Sequence, residues 1–188
     1  QSRSSAASDV YKRQLIYAAF PIAQVVRSAG DSLASSKSAM VDFVFKDVVV
    51  ESIKLFGHIA ALTALFGAIC SLVGWILGSS GMMGGVDLHE VFPYLYGLPA
   101  SAMAAFMGML GLEFVGGVIE GFLSWDVTGS EASGYTVDGA LAVGWEFVQV
   151  VIILAKLYVV LAFYHFFFFF LNTFFNWIKS PYLPFKSS

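Results

Sequence analysis

Two glutamates, Glu113 and Glu120, stand seven residues apart in a stretch of the chain that is otherwise apolar. Because seven residues make almost two helical turns, the two carboxyl groups are expected to share one face of a helix. A carboxylate in hydrocarbon costs at least about 2.5–3.5 kcal/mol, which protonation, a partner or a water-filled cavity must offset. One hypothesis is therefore a proton or cation path in which these acids carry the charge.

A second set of ionisable residues, Glu146, Lys156 and His165, follows in a later apolar stretch. Glu146 and Lys156 are ten residues apart, close to three helical turns, and an ion pair between Lys156 and Glu113 or Glu120 would be geometrically reasonable. The alternative hypothesis is structural. In it, a Glu113–Lys156 pair sets helix register, Glu120 reaches the interface near a span's end, and Glu146 and Lys156 lie outside the bilayer. On that hypothesis His165 is an interfacial or packed side chain.

Known catalytic and cofactor motifs do not occur in this sequence. It has no Ser–His–Asp elbow, no phosphate-binding loop and no dinucleotide fingerprint, and its histidines lack the close spacing typical of metal ligands. The sequence therefore predicts a protein that is not an enzyme and has no cofactor or metal.

The composition indicates lipid as the solvent for much of the surface. Apolar residues make up 58% of the chain and charged residues 12%, against about 45–50% and about 25% in soluble proteins. A net charge of −3 argues against a nucleic-acid partner. With Cys70 as the single cysteine, the chain cannot form an internal disulfide.

Three hydrophobic segments, 57–78, 97–123 and 141–178, are predicted to cross a membrane, since about 20 apolar residues span about 30 Å of hydrocarbon. The last segment is long enough to be either one projecting helix or a helix that bends near Lys156. The predicted fold is an all-α, multi-pass transmembrane helical bundle in the cell membrane.

Glycines recur within these segments at spacings that favour close helix packing. Gly74 and Gly78 form one GxxxG pair, and Gly117 and Gly121 form another. The full set of candidate packing residues is Gly67, Gly74, Gly78, Gly108, Gly117 and Gly121.

The chain before residue 57 divides into three parts. Residues 27–56 are predicted to form a polar linker and an amphipathic helix, and residues 15–26 form either a truncated fourth span or an interfacial helix. The run SSAASDVYKRQ, residues 4–14, resembles the conceptual translation of an adapter used in sequencing libraries. That resemblance implies that residues 1–14 are not native and that native sequence starts at Leu15.

Charge bias does not settle the orientation of three crossings. The positive-inside rule places Arg27, Lys37, Lys46 and Lys54 in the cytoplasm, but three crossings then put the tail, residues 179–188, outside. Lys179 and Lys186 in that tail conflict with the rule.

In outline, the small-residue stretches 63–74 and 100–111 with a polar loop between them are similar to proton-channel subunits that energise motors and transporters. That resemblance implies proton or cation conduction. The residues themselves favour a non-enzymatic component that packs in a homo-oligomer or with other membrane subunits.

Overall fold

The computed structural model describes residues 2–78, 97–125 and 135–179, and these residues form helices and turns with no strand. In chain order the elements are α1 (Ser2–Ala34), α2 (Met40–Asp42), a π-helical segment (Phe43–Val48), α3 (Val49–Ile76), α4 (Leu98–Met109), α5 (Glu113–Ser124) and α6 (Val137–Lys179). The all-α prediction is confirmed for the part of the chain that is described.

Two helical runs, Met40–Ile76 and Val137–Ile178, are long and apolar enough to cross a membrane. Only 33% and 28% of the most apolar stretches of these two runs are buried by the rest of the described chain. A core helix of a soluble protein, by contrast, is mostly buried. The second run is continuous through Lys156, so segment 141–178 belongs to one long helix and not to two.

The single span expected over 97–123 is a pair of short helices, which corrects the prediction of three spans. Gly111 ends α4 with a φ of +75°, a left-handed conformation that glycine adopts without a Cβ clash. The Leu112 amide donates to the Met107 carbonyl at 2.8 Å and the Gly111 amide to the Gly108 carbonyl at 3.0 Å. This is the Schellman arrangement that closes a helix. Each helix has 12 residues and is about 18 Å long, which is too short to cross about 30 Å of hydrocarbon.

α4 and α5 fold back on each other as an antiparallel hairpin. A Cβ built on Gly116 would lie 3.0 Å from the carbonyl oxygen of Ala104, so glycine permits the close approach of α5 to α4. Further from the tip, Ala100 and Met103 of α4 share a buried cluster with Leu123 of α5. The start of α4 and the end of α5 therefore lie side by side.

α3 and α6 form the longest packed interface, and they run antiparallel. Val50 packs with Leu157 and Leu161, whereas Trp75 at the other end of α3 packs with Ala142 and Val143. On the α3 side, Gly57 lies against Leu157. Ala60 and Ala61 share a buried cluster with Val150 and Ile153. Gly57 and Ala60 are three residues apart, a spacing found in the heptad pattern of packed helices, and small residues let the two backbones approach.

α1 packs along α3 after a tight connection at residues 35–39. The Ser38 hydroxyl donates to an Asp47 carboxylate oxygen at 2.7 Å, and the Ser36 hydroxyl donates to the same oxygen. Residues 15–26 thus belong to a 33-residue helix, but α1 is not among the helices apolar enough to span. A fourth span is not seen in the described residues.

Candidate functional site

Lys156 is the most deeply buried charged side chain described, with 2% of its surface exposed. Its ammonium group donates to the Leu123 carbonyl at 3.2 Å and to the Trp125 carbonyl. Both carbonyls lie at the C-terminal end of α5, where a helix leaves carbonyl oxygens without partners and carries partial negative charge. Lys156 therefore acts as a cationic cap that ties the hairpin to α6.

The hairpin also rests on α6 through apolar and aromatic contacts. Val160 shares the buried cluster of Ala100, Met103 and Leu123. The Phe106 ring meets three rings of α6 edge-on, with centroid distances of 6.0 Å to Phe163, 5.0 Å to Phe167 and 5.5 Å to Phe170. Edge-to-face pairs at these distances are favourable. The phenylalanine side chains of α6 thus form part of the surface on which the hairpin packs.

Glu146 lies in the seam between α3 and α6, where it forms a side-chain hydrogen bond with Ser71. Ser71 is 1% exposed, and Cys70 precedes it on α3. Because Ser71 is five residues before the end of α3, this polar pair lies about 8 Å along the helix from that end.

The other predicted acids and the histidine are not brought to Lys156. Glu113 and Glu120 are exposed on α5, and His165 is exposed on α6. Ion pairs within the described ranges include Arg27–Asp31 and Lys54–Glu51, and the described partners of Lys156 are carbonyls at the end of α5. The expected Glu113–Lys156 or Glu120–Lys156 pair is therefore not formed there, because Lys156 faces the end of α5 and not its flank.

Glu146 and Lys156 also face different neighbours, although they lie on one helix. Glu146 turns to α3 and Lys156 turns to α5. Glu146 and Lys156 thus belong to two different interfaces of α6. No group of three or more His, Cys, Asp or Glu side chains within these ranges could hold a metal ion.

The predicted packing glycines fall into three environments. Gly67 and Gly74 are buried on α3. Gly78 ends α3 with a φ of +61°, so its role in this structure is to close the helix. A Cβ at Gly108, Gly117 or Gly121 would meet no described atom within 4 Å, which leaves these three positions open to a neighbour.

Two glycines in close contacts, Gly57 and Gly116, were not among the predicted packing residues. A Cβ on Gly57 would lie 2.4 Å from the Leu157 side chain. The sequence could have indicated Gly57, since it precedes Ser71, another small buried residue of α3, by two heptads. The signal for Gly116 was hidden, because its partner helix α4 is part of the same apolar stretch.

One end of the α3–α6 pair is closed by aromatic side chains. The Trp75 indole donates to the Thr136 carbonyl at 3.0 Å and its ring stacks on Tyr135 at 4.9 Å. Trp and Tyr are the side chains enriched at membrane–water interfaces.

Comparison with known protein families, with characterised proteins and with solved structures finds no match for this chain.

Proposed function

We propose that this chain is an integral membrane protein and acts as a non-enzymatic helix-packing component of a homo-oligomer or a larger membrane complex. The observation that carries the proposal is the large apolar surface left uncovered on the two long helices. About a third or less of the most apolar stretch of each helix is buried within the chain. Lipid and neighbouring membrane helices are the surroundings in which such a surface is stable.

The open face of α5 supports the packing part of the proposal. Gly117 and Gly121 are exposed and have space around them, whereas Gly116 is already in contact with α4. Small residues spaced four apart allow a second helix to approach the backbone closely. A second copy of this chain is the partner that purified protein can test directly.

The test is the oligomeric state of purified protein reconstituted at low density in lipid vesicles, counted by single-molecule photobleaching. We expect oligomers in the wild type and monomers in Gly117→Leu, because a leucine side chain would hold the partner helix away. Val118→Leu is the matched control, since Val118 is an exposed neighbour that is 57% accessible. A monomeric wild type, or a Gly117→Leu protein that oligomerises like the wild type, would contradict the homo-oligomer.

A second candidate function is proton or cation conduction through intramembrane carboxylates. It is supported by the position of Glu146 between the two candidate spans, and Glu113 and Glu120 remain its other acids. The test is proton flux into protein-containing vesicles, with Glu113→Gln, Glu120→Gln and Glu146→Gln measured separately. Absence of flux in the wild type, or flux in all three variants equal to that of a conducting wild type, would exclude conduction by these acids.

A further inference from the structure

The two long helical runs are longer than a bilayer is thick, so only part of each can lie in hydrocarbon. α6 has 43 residues and is about 65 Å long, against about 30 Å of hydrocarbon. The run Met40–Ile76 has 37 residues and is about 55 Å long. Since α3 and α6 pack antiparallel, one layer of hydrocarbon must cover matching parts of both.

Charged side chains are confined to one half of the run Met40–Ile76. The half that carries them contains Asp42, Lys46, Asp47, Glu51 and Lys54. Residues 55–76 contain no Lys, Arg, Asp or Glu. Asp42 and Lys46 are exposed, and a charged side chain that faces hydrocarbon is costly and rare. Residues 55–76 are therefore the part of this run that is suited to lipid.

Lys156 marks on α6 the level at which the charges of the other run begin. Gly57 lies against Leu157, and Lys54 and Lys156 are three residues and one residue away from this contact. They are therefore within about 6 Å of each other along the helix axes. Past this level, toward the end of α6, the charged half of the other run lies alongside, since the Tyr164 hydroxyl donates to the carbonyl of residue 45.

The α4–α5 hairpin lies on the same side of this level as the charged half. Its open end meets α6 at Lys156, and Phe106, nearer its tip, packs edge-on against Phe170. The hairpin carries two exposed acids, Glu113 and Glu120. Lipid around this half of the structure would thus surround two exposed carboxyl groups of α5 in addition to the charges of the neighbouring run.

The opposite half of the α3–α6 pair has the length that hydrocarbon requires. Asp138 and Lys156 are 18 residues apart on α6, which is about 27 Å. Lys54 and Trp75 are 21 residues apart on α3, which is about 32 Å. Both lengths match the hydrocarbon thickness of about 30 Å.

The boundaries and the interior of this half fit the same placement. Trp75 and Tyr135 stack at one end, and Trp125 is 52% exposed beside the Lys156 cap at the other, as expected for aromatic side chains at membrane–water interfaces. Between Asp138 and Lys156 the sequence has one charged residue type, at Glu146, which is half-buried and hydrogen-bonded to Ser71.

We infer that hydrocarbon covers α3 from residue 55 to its end and α6 from its start to Lys156, and that the α4–α5 hairpin stands outside the hydrocarbon, packed on the projecting part of α6. This inference rests on the proposed membrane location. Of the three acids considered for conduction, it leaves Glu146 in hydrocarbon. The open glycines of α5 then face a neighbour outside the lipid.

The test compares thiols of similar exposure at different depths, in a Cys70→Ser background. Val151 and Phe169 are 65% and 69% exposed on α6, and Phe114 is 84% exposed at the hairpin tip. Val151→Cys, Phe169→Cys and Phe114→Cys are reconstituted in phosphatidylcholine–phosphatidylglycerol vesicles at less than one chain per vesicle, so that no second copy covers a thiol. A water-soluble maleimide is loaded on both sides, and each rate is compared with that of the same variant unfolded in detergent. Circular dichroism confirms that each variant keeps the helical content of the wild type.

We expect the thiol at 151 to lose its reactivity in vesicles and the thiols at 114 and 169 to keep it. Protection of either of these two thiols to the extent seen at 151 would overturn the placement of the hairpin. Reaction at 151 as fast as at 169 would instead contradict the membrane location of α6 and with it the proposed function, so the two failures are distinguishable.

Discussion

Replacing Lys156 by methionine tests whether one buried ammonium group holds the α4–α5 hairpin on α6. Methionine keeps most of the side-chain length and apolar contact but removes the charge and the donors. The Leu123 and Trp125 carbonyls would then lose the partner that caps them.

The expected cost follows from opposing contributions of similar size. Hydrogen bonds to a charged donor contribute about 1.5–3 kcal/mol each in soluble proteins, and a cation at a helix C-terminus adds about 0.3–1 kcal/mol. Burying an ammonium ion costs several kcal/mol, which the methionine variant avoids. Polar contacts between membrane helices also average only about 0.6 kcal/mol. We therefore expect Lys156→Met to lower the free energy of unfolding by about 1–3 kcal/mol.

The assay combines chemical denaturation in detergent micelles with amide hydrogen exchange resolved by segment. Exchange should rise in α5 and α4 while α3 keeps its protection, because only the hairpin loses its tie to α6. Lys37→Met is the matched control, since Lys37 is an exposed lysine outside the hairpin and α6. Lys156→Arg, which keeps the charge, should recover part of the stability.

Unchanged stability and unchanged exchange in Lys156→Met would refute this reasoning. Such a result would mean that the desolvation of the ammonium group cancels its bonds to the carbonyls. The aromatic and apolar contacts of the hairpin would then be sufficient to hold it.

Three further substitutions test the packing. Gly116→Ala should destabilise the hairpin, since overpacking costs about 1–3 kcal/mol and exceeds the gain in helix propensity of about 1 kcal/mol. Gly117→Ala has free space around the new methyl group and should be neutral or stabilising. Equal denaturation midpoints for these two variants would contradict the close contact at Gly116. Gly111→Ala places a Cβ at a φ of +75° and should cost about 1–2 kcal/mol; an unchanged midpoint would argue against the break in 97–123. Ser71→Ala should lower the free energy of unfolding by about 1 kcal/mol, because it removes the hydrogen bond to Glu146. A double-mutant cycle with Glu146→Gln that shows no coupling would contradict this hydrogen bond.

The long helices were predictable because uninterrupted apolar length is a direct sequence signal. Residues 57–76 and 141–178 lie within α3 and α6, and the lack of a turn signal near Lys156 agrees with one continuous α6. Gly67 and Gly74, which are buried on α3, were also visible through their spacing of seven, since a heptad repeat depends on sequence alone.

The hairpin was not predictable from the same signals. Glycine is frequent in membrane helices, so Gly111 among other small residues gave no warning of a helix end. What distinguishes it is the left-handed backbone and the pair of amide bonds back to α4, which depend on the fold of the hairpin as a whole.

The role of Lys156 was hidden for a related reason. A carboxylate was the expected partner of Lys156, because a buried lysine usually pairs with an opposite charge. Its partners in the structure are backbone carbonyls at the end of α5. Those carbonyls are available to a side chain because the helix ends there.

The most direct test of the central claim is the lipid exposure of the middle of the α3–α6 pair. Val151 is 65% exposed on α6, so a nitroxide attached to Val151→Cys in the Cys70→Ser background would point away from the seam. In phosphatidylcholine–phosphatidylglycerol vesicles, the account predicts relaxation by oxygen and protection from a water-soluble nickel reagent. Strong relaxation by the nickel reagent and little effect of oxygen would contradict a membrane-crossing α6.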